Sequence, residues 1–296
     1  MTTPLLIPWF RLDPIDIPGP VDIQPFGILV AIGILFGTRV AEWRGEKRGV
    51  PREVVASFFF FVIVVGFISA MLLNMLFYEP EKFTLIFQGE IPYPGLSSFG
   101  GFFGGTVAAL YYRNKHRVSL MVLGDIFCFA FPFAWLFGRT GCFVVHDHPG
   151  LPSHFFLAVD NYYQQGIARH DLGLYEVIWS AFMMALVLWL DRKPRPFGFF
   201  MALVPILYAP VRFALDFLRE DAANNGDVRY LGLTPGHYWA VLMLLVGIGV
   251  AAKVRASSPT SLYLDGAPPE AAQEPASTKA PATKSKSKGK GKSKKR

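Results

Sequence analysis

Long apolar runs separated by short polar loops dominate the first 255 residues of the chain. Each run can form a helix of about 20 residues, the length that crosses a bilayer core of roughly 30 Å. The pattern therefore predicts an all-α, polytopic membrane helix bundle with about seven transmembrane helices. The predicted spans are 24–42, 55–78, 95–113, 120–143, 173–191, 197–218 and 236–254.

Basic residues recur in alternate loops. The segments RGEKRGVPRE, YYRNKHR and DRKPRP follow the first, third and fifth spans, and more lysines follow the seventh, while the other loops are poor in Lys and Arg. Cytoplasmic loops of membrane proteins carry such an excess. The alternation predicts an N-terminus outside and a C-terminus inside. It also assigns the net charge of +7 to membrane topology, so we expect no nucleic-acid partner.

The composition changes character near residue 256. The last stretch is rich in Pro, Ala, Ser and Gly and ends in KSKSKGKGKSKKR. Such a segment cannot bury an apolar core. We therefore predict a transmembrane domain over 1–255 and a disordered, basic cytoplasmic tail over 256–296. The tail is either a solvated topology signal or a segment attracted to anionic lipid head groups.

Several charged residues fall inside the predicted spans or directly after one, and each costs roughly 3 kcal/mol at the bilayer centre. At a rise of 1.5 Å per residue, Arg212 lies roughly 22 Å from the cytoplasmic end of its span, and Arg139 lies near the outer end of span four. Two guanidinium groups at one depth suit the phosphate of a phospholipid. Alternatively, Arg212 and Asp216 only neutralise each other at i, i+4. The charged residues in question are Asp125, Arg139, Glu176, Arg212, Asp216 and Arg219.

The third span carries two overlapping GxxxG pairs, formed by Gly100, Gly101, Gly104 and Gly105. Small residues at this spacing favour close packing of two membrane helices. A role in cradling a lipid is the alternative interpretation.

The segment GRTGCFVVHDHPG, residues 138–150, resembles the signature of bacterial prolipoprotein diacylglyceryl transferases. Cys142 and Val145 replace two asparagines of that signature, and Asp147 stands where the family has a glutamate. Four positions match it: Gly138, Arg139, Gly141 and Phe143.

Other segments resemble the same family in the same order along residues 20–255. SSFGGFFGG resembles its third-span segment, with Phe99 in place of a histidine. LYE at 174–176 resembles the end of a further motif. YAPVRFALDFLRE at 208–220 places Arg212 at the family's second essential arginine. RKPRPFG and GLTPGHYWAVL resemble its cytoplasmic turn and the entry to its last span.

The resemblance implies a multi-pass enzyme of the bacterial cytoplasmic (inner) membrane. It implies transfer of a diacylglyceryl group from phosphatidylglycerol to the lipobox cysteine of a prolipoprotein, with phosphatidylglycerol, prolipoprotein signal peptides and membrane lipid as partners. No cofactor and no metal are expected. The alternative is a catalytically altered paralogue that binds phospholipid or lipoprotein signal sequences without transfer, which the changes at Phe99, Cys142 and Val145 favour. An unrelated transporter or channel is a third hypothesis.

Phe99 cannot accept a proton, so the general base must come from elsewhere. The HDH sequence supplies imidazoles that titrate near neutral pH. Alternatively, Cys142 with His146 and His148 could bind zinc, or the histidines are plain loop residues. The predicted catalytic residues are His146, His148, Asp147 and Arg139. The predicted substrate-binding residues are Arg139, Arg212, Gly100, Gly101, Cys142, Tyr175 and Glu176.

The topology can be tested with reporter fusions placed after Arg48, Lys115 and Lys193. All three should report the cytoplasm, because each lies within a loop rich in Lys and Arg. A periplasmic signal at any of these positions would contradict the predicted orientation.

Overall fold

The computed structural model describes residues 6–16, 18, 22–77, 80–82, 95–220, 229–257 and 261–264. Seven long helices lie within these ranges, one at each predicted span. In chain order they are α1 (Pro25–Lys47), α2 (Arg52–Phe77), α3 (Ser98–His116), α4 (Leu120–Val145), α5 (Leu172–Leu190), α6 (Phe199–Asp216) and α7 (Pro235–Ala256). The α4–α5 connection also forms an antiparallel pair of strands, β1 (Pro149–Pro152) and β2 (Arg169–Asp171), and a 3-10 turn over Tyr162–Gln164.

Six of the described helices are long and apolar enough to cross a membrane, and α3 is the helix that falls short. Its first half is the glycine-rich SSFGGFFGG segment and its last turn carries Arg113, Lys115 and His116. The polytopic helical membrane bundle is thereby confirmed. The count of seven spans and the orientation of the termini stay predictions.

Close contact with α2 explains how α3 is held. A Cβ added at Gly100 would lie 2.7 Å from the Ser69 carbonyl oxygen, and one at Gly104 would lie 2.3 Å from the Ser69 Cβ. Any side chain at these positions would push the helices apart, so the glycines permit the close approach. The helix-packing interpretation of the glycine pairs thus has direct support at Gly100 and Gly104.

A buried ion cluster joins one end of the bundle. Arg44 of α1 is fully buried, donates a hydrogen bond to Asp191 just after α5, and lies 3.5 Å from the Asp125 carboxylate of α4. Its guanidinium lies 4.3 Å from the ring centre of Phe129 and 4.8 Å from that of Phe200. Asp125 also accepts a hydrogen bond of 2.7 Å from the Phe200 backbone N–H at the start of α6. We call this end, which also carries the basic loops, the basic face.

The first predicted span ends five residues too early because of this cluster. Arg44 reads as a loop residue in the sequence, yet α1 continues to Lys47. Partners that lie far away along the chain pair with its charge, so a basic residue can occupy the helix interior.

Four residues of the predicted tail pack against the turn between α3 and α4. The Ser119 N–H donates to the Leu262 carbonyl at 2.7 Å, and the Leu264 N–H donates to the Arg117 carbonyl at 2.8 Å. Leu262 is 8% exposed and joins the apolar core on the basic face. Ala256 and Ser257 form the end of α7 and its cap. Residues 258–260 and 265–296 of the predicted tail lie outside the described residues, and the domain division stays a prediction.

The opposite end is covered by a cap made of the N-terminal segment and the α4–α5 connection. The Ile7 N–H donates to the Ala158 carbonyl at 3.0 Å, and the Leu12 N–H donates to the Val144 carbonyl at 2.9 Å. Trp9 stacks on the imidazole of His146 with ring centres 4.5 Å apart. The cap therefore ties residues before α1 to the end of α4.

His146 is the centre of this cap. It is fully buried and ends α4 with a φ of 51°, and its Nδ1 lies 2.6 Å from Oδ2 of Asp171. Tyr162 donates a second hydrogen bond to the same carboxylate oxygen, at 3.1 Å. Burial and the neighbouring Asp171 charge raise the pKa of Tyr162, so its hydroxyl stays a donor. Asp171 in turn accepts from the Leu174 N–H at the start of α5.

Replacing His146 with Ala should destabilise the cap. Asp171 would lose a partner in a buried site, and an unsatisfied buried group costs about 1–3 kcal/mol. We expect a lower midpoint of thermal unfolding for the detergent-solubilised protein. His154→Ala, in an exposed part of the same connection, is the matched control and should leave the midpoint unchanged. An unaltered midpoint in His146→Ala would contradict the structural role.

Candidate active site

A cavity of about 1050 Å³ runs from the end of the bundle opposite the basic face toward its middle. Its three arginines come from the ends of α4 and α6 and from the segment that follows α6, and further polar side chains come from α2, from the residue before α3 and from α7. Apolar side chains cover the deeper wall: Phe127, Phe131, Val204, Leu242 and Met243. The cavity is therefore amphipathic, with positive charge at one end and hydrocarbon along its length.

A buried carboxylate holds two of the arginines. Glu176 of α5 is 1% exposed, and its Oε2 lies 2.9 Å from Nε of Arg139 while its Oε1 accepts from Nη1 of Arg212 at 2.6 Å. Tyr208 and Trp135 donate further hydrogen bonds to Oε2. Ionised acceptors with several donors are among the strongest hydrogen-bonding groups in proteins. This one group joins α4, α5 and α6 beside the cavity.

A second buried carboxylate extends the row. Asp216 at the end of α6 is fully buried, and its Oδ1 lies 2.7 Å from Nη2 of Arg212 and 3.3 Å from Nε of Arg219. The Thr234 hydroxyl donates to Oδ2 of the same group. Three arginines alternate with two carboxylates, so the row carries a net charge of +1.

The exposure of the side chains decides whether positive or negative charge faces the cavity. The side chains of Arg139, Arg212 and Arg219 are 12%, 14% and 16% exposed, whereas the two carboxylates are at most 1% exposed. All three arginines line the cavity. An anion in the cavity therefore meets guanidinium groups whose opposite sides are already paired.

The start of α7 is shaped around Asp216. A Cβ added at Gly236 would lie 1.9 Å from Oδ2 of that carboxylate, so only glycine fits. Thr234 is the residue that caps α7, and its backbone N–H donates to Nδ1 of His237 at 3.1 Å. The positive end of a helix dipole favours a carboxylate at this place.

A thiol, a carboxylate and an imidazole meet where α4 ends. The backbone folds back there, because the Asp147 N–H donates to the Cys142 carbonyl at 3.4 Å. One potential ligand atom from each of Cys142, Asp147 and His148 lies within 4.8 Å of the other two. The Cys142 sulfur also accepts a hydrogen bond of 3.7 Å from Nη1 of Arg139. His148 lines the cavity, with 26% of its side chain exposed.

The structure brings several of the predicted site residues together. Arg139, Arg212 and Glu176 form one network, and His148, with Asp147 and Cys142 beside it, lies at the same end of the cavity.

Four other predicted site residues lie elsewhere. His146 faces the cap and Gly100 packs against α2. Gly101 is a third residue that, like these two, does not line the cavity. The Tyr175 hydroxyl lies 2.6 Å from Nδ1 of His170 and also stays outside the cavity wall. The side chain of Phe99 is outside the described part of the structure.

Sequence reasoning gave no role to Tyr208, Trp135, Arg219 or Thr234. Helical spacing could have indicated two of them. Tyr208 lies four residues before Arg212 and Arg219 lies seven residues after it, so both fall on the same side of a helical segment as Arg212. Thr234 meets Asp216 across a loop, and nothing in the sequence pattern indicates that contact.

Comparison with known proteins identifies the family of the chain. The family model described as prolipoprotein diacylglyceryl transferase matches residues 14–253. A protein of Acinetobacter baumannii named phosphatidylglycerol–prolipoprotein diacylglyceryl transferase is 26% identical over 250 residues, which cover 80% of this chain and 91% of that protein. A protein of Chromohalobacter salexigens with the same name is 28% identical over 247 residues, covering 81% and 91%. The chain belongs to the prolipoprotein diacylglyceryl transferase family.

Proposed function

We propose that the chain transfers a diacylglyceryl group from phosphatidylglycerol to the lipobox cysteine of prolipoproteins. Family membership and the names of its relatives support this activity. The observation that carries the proposal is the Arg139–Glu176–Arg212 network on the wall of an amphipathic cavity. A phospholipid has the matching form, with an anionic phosphate at one end and acyl chains along the rest.

The arginines suit the phosphate of the donor lipid. Glu176 fixes both guanidinium groups from behind, so little side-chain freedom remains to be lost when an anion binds. Guanidinium remains charged and can donate two parallel hydrogen bonds to phosphate oxygens. Apolar residues such as Phe131 and Met243 would contact the acyl chains deeper in the cavity.

The same arginines serve the chemical step. The substrate thiolate attacks the glycerol carbon that carries the phosphate ester, a carbon–sulfur bond forms and the carbon–oxygen bond breaks. The electron pair goes to the phosphate, which leaves as glycerol phosphate with one more negative charge. Donors fixed where charge develops stabilise such a transition state more than the ground state. Arg139, Arg212 and Arg219 are placed for that task.

The thiol must first lose its proton. Of the two histidines predicted as bases, His148 lines the cavity, whereas His146 is buried in the cap with its Nδ1 directed at Asp171, which favours His148. His148 is hydrogen-bonded to Asp147, which would orient its ring. The activating group therefore belongs to the end of α4, next to Arg139.

We place the protein in the bacterial cytoplasmic membrane as a multi-pass enzyme, with the cavity near the outer leaflet. Six apolar helices and bacterial relatives support this location. Prolipoprotein signal peptides would then present their cysteine from the side that bears the arginines.

The deciding experiment is complementation of a transferase-depleted bacterial strain. Expression of this chain should restore conversion of prolipoproteins to their lipid-modified form, measured by a mobility shift and by incorporation of labelled lipid. Binding of phosphatidylglycerol without any transfer would instead favour the catalytically altered paralogue.

Replacing Arg139 or Arg212 with Lys should lower the transfer rate. The ammonium of a lysine is a point charge. It lacks the planar fork of N–H donors with which a guanidinium can contact Glu176 on one side and a phosphate oxygen on the other. Loss of one charge-assisted hydrogen bond, about 1.5–3 kcal/mol, corresponds to roughly a 10- to 150-fold slower reaction. The measurement is diacylglyceryl transfer by the purified protein. Arg192→Lys, exposed at the basic face, is the control and should keep the parent rate, whereas full activity in Arg139→Lys would contradict the assignment.

Gly236→Ala should slow transfer by about 10²-fold, the typical effect of misplacing a catalytic group by roughly 1 Å. The new methyl group would overlap the Asp216 carboxylate and displace Arg212 with it. Gly249→Ala on the same helix is the matched control, because nothing lies within 4 Å of a Cβ there. Equal rates for the two variants would show that the Asp216 contact does not position the arginine.

A further inference from the structure

The thiol, carboxylate and imidazole at the end of α4 form a ligand set that differs by one residue from the zinc set considered from the sequence. Their ligand atoms all lie within 4.8 Å of one another, although the three residues span only positions 142–148. Zinc binds cysteine sulfur, histidine nitrogen and carboxylate oxygen at about 2.0–2.3 Å and arranges its ligands tetrahedrally. Two ligands on such a centre are separated by less than 4.8 Å, so the cluster is close to the required spacing.

The structure also changes which residues can take part. His146, the third member of the set considered from the sequence, directs its Nδ1 to Asp171 and is fully enclosed by the cap. Asp147 takes its place, because the turn after α4 brings its carboxylate next to His148 and Cys142. Cys142 and Asp147 are two of the positions at which the signature segment departs from the family pattern it resembles.

We propose that Cys142, Asp147 and His148 bind one Zn²⁺ ion, and that this ion takes the thiol of the acceptor cysteine as its fourth ligand. Catalytic zinc sites keep three protein ligands and one open position. The inference rests on the proposed function for the identity of that thiol. It departs from the sequence-based expectation that no metal is needed.

The surroundings suit a zinc centre. The Arg139 guanidinium donates to the Cys142 sulfur at 3.7 Å, and hydrogen bonds of this kind orient metal ligands and stabilise a thiolate. Two anionic ligands balance the charge of the ion. His148 lies on the cavity wall, so the open position can be reached from the space that holds Arg139, Arg212 and Arg219.

Coordination by zinc takes over the task that the proposed function gives to a histidine base. A metal-bound thiol is deprotonated outright, so the acceptor cysteine gives its proton to water and binds as a thiolate. The thiolate sulfur then forms the bond to the glycerol carbon, and the carbon–oxygen bond breaks toward the phosphate. The thioether product is a weaker ligand than the thiolate and leaves, while zinc keeps its charge throughout.

Metal content provides the first test. The full-length protein, purified in detergent and dialysed with zinc, should retain about one equivalent per chain, the ratio for one such site. Asp147→Asn and Cys142→Ser should lose it, whereas Cys128→Ser and His154→Ala should keep it. Asp147 is 38% exposed, so its variant should fold, which thermal unfolding would check. Retention of zinc by the Asp147 and Cys142 variants, or no binding by the parent, would overturn the proposal.

Cobalt provides the second test, because Co²⁺ substitutes for zinc and absorbs light through its bond to sulfur. The cobalt protein should show this band, and a lipobox peptide with cysteine should intensify it while the serine analogue does not. An absorption band whose intensity does not change when the cysteine peptide is added would overturn the role of the ion in binding the acceptor.

Activity separates this inference from the proposed function. Removing zinc with a chelator should slow transfer roughly 30-fold at pH 7, where only a few per cent of a free thiol with a pKa near 8.5 is thiolate. Zinc should restore the rate. Equal rates with and without zinc would overturn the inference, leave the transferase intact and return His148 to the role of base. Absence of transfer in both forms, with both metal tests passed, would support the zinc site and refute the proposed function.

Discussion

The buried carboxylate of Glu176 is the constraint on which the site depends. It lies in a membrane helix and would be costly there as an isolated charge. Contacts with Arg139 and Trp135 of α4 and with Tyr208 and Arg212 of α6 pair it from two neighbouring helices. The arginines gain fixed positions from the same contacts that neutralise the acid. This network holds three helices together and also fixes the arginines that would bind an anion. A substitution of Glu176 should therefore affect stability and function together.

The two ends of the bundle use charge in opposite ways. At the basic face, Arg44 is fully enclosed between aromatic rings and paired with Asp125 and Asp191. At the other end, Arg139 and Arg212 are paired on one side and accessible on the other. The first arrangement stabilises helix packing, whereas the second leaves positive charge available to a ligand. Pairing geometry, more than residue type, separates a structural arginine from a binding one.

Much of the fold could be predicted from the sequence because bilayer thickness fixes helix length and apolar runs reveal it directly. The depth argument also placed Arg139 and Arg212 at one level. The sequence could not distinguish His146 from His148: they are two residues apart, yet the left-handed φ of 51° at His146 directs one imidazole into the cap and the other to the cavity. Contacts between distant segments, such as Thr234 with Asp216, carry no periodic signal.

The enclosed Arg44 has a consequence for the order of biogenesis. Its two partners follow it by 81 and 147 residues along the chain. At a synthesis rate of about 5–20 residues per second, the second carboxylate emerges roughly 7 to 30 seconds after the arginine. During that interval the long side chain of Arg44 can reach the aqueous interface, as arginines near helix ends do. Helix α1 can therefore enter the membrane before either carboxylate is available, and the ion cluster around Arg44 is complete only when the residue after α5 has been synthesised.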